Sequence, residues 1–437
     1  MQTIDTLIHA EWVVPIEPVN TTLHSHSLCI DNGKIVAILP TPDAKQQFQA
    51  DNQFDLSGHA VMPGLVNAHT HAAMSLMRGL ADDLPLMTWL QEHIWPTEQR
   101  WVNERFIEDG TELAIAEMVR GGTTCFNDMY FFPEVTAQSA IQCGMRAVVG
   151  LLMIDFPTAW GSGPDEYFEK GIAIHEQYRN SPLIHTTFAP HAPYTVSDQP
   201  LERVGILASE LDLPVHMHIH ETADEINNSI EQFGVRPLAR LDQLGLLTPR
   251  LAAVHMTQLN NEEITLLAER NVSVVHCPES NLKLASGFCP VSQLQRAGVK
   301  LALGTDGAAS NNDLDLLGEM RTASLLAKGV AQDATALNAH QALRMATLNG
   351  AKAVGLEQLI GSLEAGKAAD LIAIDLNTLN NLPLYDVASH LVYTTARHQV
   401  TEVWVNGQHL LRKGELITVD SEKVKRQTTE WQGKIGA

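Results

Sequence analysis

The feature that most constrains the fold is a regular alternation of eight short apolar runs with helix-length segments, several of the runs ending in, or leading within two residues into, histidine or aspartate. The runs cover 61–68, 123–127, 146–153, 185–189, 215–219, 252–255, 272–276 and 300–304. Strands alternating with helices predict a parallel α/β fold, and eight such units over about 300 residues suit a (β/α)8 TIM-type barrel, whose site lies at the C-terminal ends of its strands. The helical segments carry their own stops, as where 112–119 runs into Gly121-Gly122. Outside this region the pattern changes to short strands and tight turns: 6–10, 27–30, the turn 31–34 and 35–39 near the start, then 369–374, 400–405, the turn Asn406-Gly407 and 409–411 near the end. The two ends are expected to pair into one small β-sandwich domain, 1–58 with 366–437, beside a catalytic barrel of 59–365.

A chain of 437 residues, 45% hydrophobic, is long enough for that barrel and its satellite. Its formal charge of −22, from 51 acidic and 29 basic residues, repels a phosphate backbone and disfavours nucleic acid as a partner. The opening Met1-Gln2-Thr3-Ile4-Asp5 has no signal-peptide pattern, and no apolar run is long enough to span a bilayer. Five scattered cysteines, Cys29, Cys125, Cys143, Cys277 and Cys289, form neither a disulfide framework nor a C-x-x-C motif. A reducing, cytoplasmic setting is the expectation.

The first barrel run leads into His69-Thr70-His71. Residues two apart on a strand face the same side, so both imidazoles can grip one ion. The fifth run continues the theme with His216, His218 and His220, of which only some can be ligands; later runs end at His255, His276 and, beyond Gly304-Thr305, Asp306. Neutral imidazoles with one carboxylate bind a divalent ion and leave a position for water whose pKa the ion lowers. Glu221 is placed to deliver a proton beside that water, and Asp306 to ligate the ion and hold the nucleophile.

These residues carry a resemblance. Met62-Pro63-Gly64-Leu65-Val66-Asn67-Ala68-His69-Thr70-His71, Met74-Ser75-Leu76-Met77-Arg78-Gly79, Ala189-Pro190-His191-Ala192-Pro193-Tyr194, His218-Ile219-His220-Glu221, His276-Cys277-Pro278-Glu279-Ser280-Asn281 and Leu303-Gly304-Thr305-Asp306 resemble the amidohydrolase superfamily. Within it they are most similar to the branch of 5'-methylthioadenosine/S-adenosylhomocysteine deaminases and s-triazine hydrolases, along nearly the whole chain.

The resemblance implies that His69, His71, His218 and Asp306 hold one metal ion, that His216 and His220 do not, that Glu221 is the proton shuttle, and that His255 orients the attacking water. It further implies that His191 contacts substrate and that Glu98 accepts from ribose hydroxyls, so the substrate-binding set is Glu98, His191, Glu221 and Asp306. His191 between prolines also suits a loop brace. His276, with Pro278, Ser280 and Asn281, suits organisation of the loop after the seventh run, and Trp89, Met74 and Met87 are candidates for a base or thioether pocket as well as for core.

The implied reaction is metal-dependent hydrolytic deamination of 5'-methylthioadenosine, S-adenosylhomocysteine or adenosine to the inosine analogue, with ammonia released. The alternative is another aminated heterocycle of s-triazine, guanine or oxidised purine type. The fourth run, His185-Thr186-Thr187-Phe188-Ala189, lacks the lysine that bridges two ions in dimetal members, which favours one ion, zinc first and iron, manganese or nickel next. The P-C-x-x-C of the other zinc deaminase class is absent. No arginine pair is assignable for a homocysteine carboxylate, which favours methylthioadenosine. The expected partners are a small purine nucleoside and further copies of the chain as a dimer or tetramer, with neither nucleic acid nor membrane.

Overall fold

The computed structural model describes residues 1–436 and is organised by two eight-stranded sheets. The chain opens with β1 (Gln2–Val13), β2 (Leu23–Asp31), β3 (Lys34–Pro40) and β4 (Phe48–Pro63). The β2–β3 turn falls on Asn32-Gly33, whose φ values of 50° and 74° are the pair a two-residue hairpin turn requires.

The barrel strands follow: β5 (Leu65–Thr70), β6 (Thr123–Asp128), β7 (Arg146–Met153), β8 (Ile184–Pro190), β9 (Val215–Ile219), β10 (Leu251–His255), β11 (Ser273–His276) and β12 (Lys300–Leu303). They lie in sequential order and every recorded neighbour pairs parallel. Every residue of β5, β6 and β7 is buried, the polar ones included, as strands covered on both faces should be. Closure comes where the chain beyond β12 meets β5: Thr305 N–H donates to Asn67 Oδ1 at 3.0 Å and Asp306 N–H to the His69 carbonyl at 3.1 Å. The seam that closes the barrel therefore sets His69 beside Asp306.

One expected strand is two. The run 61–68 straddles β4 and β5, which belong to different sheets, and the break is at Gly64. A Cβ there would sit 2.0 Å from Thr124 Oγ1, and its N–H leaves both sheets to donate to the Asp370 carbonyl at 3.0 Å. The residues on both sides of the break, 60–62 and 65–66, are apolar, so hydrophobic periodicity has no way of marking the change of sheet.

The chain ends with β13 (Leu371–Asp375), β14 (Val400–Val405), β15 (Gln408–Arg412) and β16 (Glu415–Leu416). β13 pairs antiparallel with β4, and β4 parallel with β1, so the two ends share one sheet in the order β16-β15-β14-β13-β4-β1-β2-β3. The architecture is a TIM-type barrel with a smaller β-sandwich assembled from both ends of the chain. Among the described residues no helix is long and apolar enough to cross a membrane.

An ion pair pins barrel to sandwich. The Arg146 guanidinium, at the start of β7, donates to Asp370 Oδ2 at 2.7 Å and Oδ1 at 2.9 Å, with both side chains at most 1% exposed. Asp370 Oδ1 also accepts from Asn406 N–H at 2.7 Å. Removing one member of a buried pair strands the other charge, so Asp370→Ala should cost about 3–5 kcal/mol, read as a lowered midpoint in denaturant unfolding. A loss under about 1 kcal/mol would show that the pair is not fully desolvated.

Candidate active site

The chain leaves three barrel strands through left-handed backbone: His220 after β9 at φ 56°, His255 at the end of β10 at φ 75°, and Asp306 beyond β12 at φ 60°. Such conformations cost on the order of 1–3 kcal/mol each and persist where the surroundings fix them. Here they are fixed. Asp306 Oδ1 accepts from Gly307 N–H at 2.8 Å, and the Glu225 carboxylate accepts from the N–H groups of His220 at 2.9 Å and Glu221 at 2.8 Å. Burial pushes the Glu225 carboxyl up to about 8.

Because β9 ends at Ile219, its alternation does not reach His220, whose Nε2 accepts from Leu238 N–H at 3.2 Å outside the cluster. His218 remains, with His69, His71 and Asp306; one donor atom from each lies within 4.8 Å of all the others. His69 Nε2 and His71 Nε2 both stand 3.2 Å from Asp306 Oδ1, and His218 Nε2 stands 3.2 Å from His69 Nε2. Tetrahedral bonds of about 2.0–2.2 Å imply donor separations of about 3.3–3.6 Å, close to these values.

The outer atoms point the donors inward. His71 Nδ1 donates to the Met129 carbonyl at 2.6 Å and His218 Nδ1 to the His191 carbonyl at 2.9 Å, so each presents an Nε2 lone pair. Asp306 Oδ2 accepts from Ser280 Oγ at 2.6 Å and Ser310 Oγ at 2.8 Å, leaving Oδ1 toward the imidazoles. Three imidazole nitrogens and a carboxylate oxygen so arranged fit a divalent ion.

A pocket opens over this cluster, lined by His71, His191, His218, Glu221, His255, Asp306 and Glu98. Glu221 is 8% exposed; burial raises its pKa, with His255 opposing and Asp306 adding. His255 Nε2 lies 3.8 Å from Glu221 Oε2, and its Nδ1 hydrogen-bonds Asn281 Oδ1 at 2.9 Å. Burial lowers the His191 pKa to about 3, and its Nδ1 is 3.0 Å from Thr195 Oγ1. Glu98, on the short helix Trp95–Trp101, accepts from the Tyr130 hydroxyl at 2.7 Å, and burial pushes its carboxyl up to about 7. Most of the remaining lining is apolar, including Trp89, Leu90, Ile94, Phe131, Phe156 and Leu284, with Tyr130, Tyr194, Thr195 and Ser310 adding hydroxyls.

Of the residues expected to bind the ion, the substrate or the attacking water, His69 stands beside Asp306 in the cluster, and His71, His218, Asp306, Glu221, His255, His191 and Glu98 line this pocket. Trp89 and Met74 line it; Met87 and His276 do not, and His276 is buried at 1% exposure with neither ring nitrogen partnered among the described residues. Ser280 and Asn281, expected as turn formers, instead hold Asp306 and His255. Tyr130, Ser310 and Glu225 carry no sequence signal that singles them out.

The amidohydrolase family model matches residues 60–410, which contain the whole barrel and the cluster. The chain belongs to the amidohydrolase family. A relative from Saccharophagus degradans, described as a 5-methylthioadenosine/S-adenosylhomocysteine deaminase, is 54% identical over 99% of this chain and 97% of its own. A crystal structure from Xanthomonas campestris, described as an adenosine deaminase with bound zinc, is 57% identical over 100% of this chain and 99% of its own, with a TM-score of 0.98. An atrazine chlorohydrolase from Arthrobacter aurescens, complexed with zinc, covers 98% of this chain and 99% of its own at a TM-score of 0.91 and 23% identity, a likeness of fold alone. In this amidohydrolase, as the barrel rule requires, the cluster and its pocket sit at the C-terminal ends of the strands.

Proposed function

We propose that this chain hydrolytically deaminates 5'-methylthioadenosine to its inosine analogue with release of ammonia, and accepts adenosine as a smaller substrate. The observation that carries the reading is a pocket with the His69, His71, His218, Asp306 cluster and Glu221 at one end and the Glu98 carboxylate also on its wall, in relatives of 40–54% identity described as deaminases of this type. The barrel, expected over 59–365 with residues 59–63 given to the end sheet by β4, is the catalytic unit in this reading and the paired ends its support.

A divalent ion held by His69, His71, His218 and Asp306, zinc in our reading, supplies a Lewis acid that brings the pKa of water near neutrality. The chain's own groups do the rest. Water adds to C6 of the purine while Glu221 takes its proton and delivers it to the ring nitrogen alongside; a raised pKa suits a carboxyl that must hold a proton and release it. His255, fixed by Asn281, orients the attacking water, and Asp306 accepts the remaining hydroxyl proton and passes it to the amine, so that the C–N bond breaks and ammonia leaves. His191 is neutral and contacts the base. The test is direct: purified protein with 5'-methylthioadenosine should change the purine absorbance and release ammonia stoichiometrically, and a fully metallated sample that does neither would reject the substrate.

The lining also sets a preference. None of its described residues is lysine or arginine, and the apolar wall suits a methylthio group. A homocysteine tail would bring a carboxylate with no cationic side chain on the wall to pair it, at about 1–3 kcal/mol or more for a group left unpaired. S-adenosylhomocysteine should therefore show kcat/KM about 10- to 100-fold below methylthioadenosine. Equal values would overturn the preference.

Glu98 is read as the ribose anchor. Charge-assisted hydrogen bonds contribute about 1.5–3 kcal/mol, so Glu98→Gln should raise KM for the nucleoside about tenfold or more while leaving kcat within a few-fold. Its carboxyl is raised to about 7, so the acceptor is present above that pH and lost below it. Wild-type KM should climb as pH falls through about 7, and the Glu98→Gln profile should be flat there. A parallel rise in both proteins would assign the pH effect to another group.

A further inference from the structure

The three imidazoles of the cluster are not held alike. His71 and His218 each give Nδ1–H to a backbone carbonyl, that of Met129 at 2.6 Å and that of His191 at 2.9 Å. A carbonyl can only accept, so it fixes the ring's tautomer by itself. His69 has no carbonyl. Its Nδ1 faces Nε2 of His216 at 2.8 Å, both rings are 0% exposed, and their planes are inclined at 71°. An imidazole nitrogen can accept or donate, so this contact is satisfied by two arrangements of the proton, and only one of them frees His69 Nε2 for an ion.

We propose that His216, one layer below the site on β9, is a positioning residue that sets the tautomer of His69 and through it the affinity for the divalent ion. The competent arrangement has His69 Nδ1–H donating to the His216 Nε2 lone pair. His216 must then be neutral with its own proton on Nδ1, an atom buried without a partner among the described residues. In the reverse arrangement His216 Nε2–H donates to His69 Nδ1, the His69 proton moves to Nε2, and that nitrogen turns an N–H toward the cluster. Without an ion, Asp306 Oδ1 and the His218 Nε2 lone pair, each 3.2 Å from His69 Nε2, favour the reverse arrangement, and His216 Nδ1 has no partner among the described residues to oppose it. Binding an ion therefore has to select the first arrangement against the second, a selection His71 and His218 never require. The register explains the placement: His216 precedes His218 by two on the same strand, shares its face, and lies beneath His69 across the barrel.

This inference rests on the ligand set proposed above, and its test reads ion binding rather than turnover. Competition against a chromophoric chelator gives the zinc affinity of wild type, His216→Leu and His216→Gln. His216→Leu removes the acceptor and should weaken zinc about 10- to 100-fold, the usual effect of losing a group behind a metal-ligating histidine. His216→Gln sets an amide oxygen near the lost Nε2; an oxygen can only accept, so affinity should stay within about threefold of wild type or improve. Unchanged affinity in His216→Leu, or equal loss in both variants, overturns the role of His216 and leaves the ligand set standing. No zinc binding by wild type overturns both. Should His216→Leu fail to fold, the imidazole 15N shifts of zinc-loaded wild type decide: protons on Nδ1 of both His69 and His216 support the proposal, and a proton on Nε2 of His216 overturns it.

Discussion

Glu221→Gln is expected to lower kcat for 5'-methylthioadenosine by about 10²- to 10⁴-fold, the range a positioned general acid/base supplies. KM should stay within a few-fold and bound metal should be unchanged. The three readouts separate the proton-shuttle role from the others open to a buried carboxyl. Glu221 is not among the four donors that lie within 4.8 Å of one another, so a shuttle can be lost while the ion stays. Its surroundings fit a group that changes protonation: burial raises its pKa, His255 at 3.8 Å and His71 oppose that, and Asp306 adds to it. The glutamine is close in shape and keeps the backbone hydrogen bonds that Glu225 accepts from residues 220 and 221, so the variant should fold normally. Loss of metal together with activity would instead make Glu221 a ligand. A kcat within tenfold of wild type would remove it from the chemistry.

Much of this site is legible in the chain because barrel topology converts sequence order into spatial order. Strands follow one another around the barrel, so residues at successive strand ends, His69, His218, His255 and Asp306, converge although they lie far apart in sequence. What stays hidden is what depends on contact. The change of sheet at Gly64 is invisible because the residues on both sides of it are apolar, and only the close approach of Thr124 shows why glycine is there. Ser280 is expected as a turn former and Ser310 carries no sequence signal, yet both hydroxyls hold Asp306 Oδ2. Tyr130 carries no sequence signal, yet its hydroxyl holds Glu98. The alternation of β9 puts His216 and His218 on one face but cannot say which meets the ion and which stands behind His69; that follows from strand depth and the seam between β5 and β12.

Removing the metal should abolish turnover and measurably destabilise the protein, and the geometry says why both follow. Without an ion, His69 Nε2 and His71 Nε2 share Asp306 Oδ1 at 3.2 Å each, while His218 Nε2 faces His69 Nε2 at the same distance. The buried donors are then left to compete for protons, which is a poor substitute for a shared cation. Binding to the folded state alone adds RT ln(1 + [L]/Kd), about 2.7 kcal/mol at a hundredfold excess over Kd. Dialysis against a strong chelator should therefore lower the thermal midpoint by several degrees and take activity to background, and stoichiometric zinc should restore both. Acid should make stripping easier, because protons compete with the ion for the same imidazole nitrogens; the chelator concentration needed for half-loss should fall as pH falls. Asp306→Ala gives the same result by another route, since it deletes the one carboxylate of the set and the acceptor of Ser280, Ser310 and Gly307. It should purify with well under one ion per chain. A chelated protein that keeps full activity and an unchanged midpoint would refute the metal assignment together with the mechanism built on it.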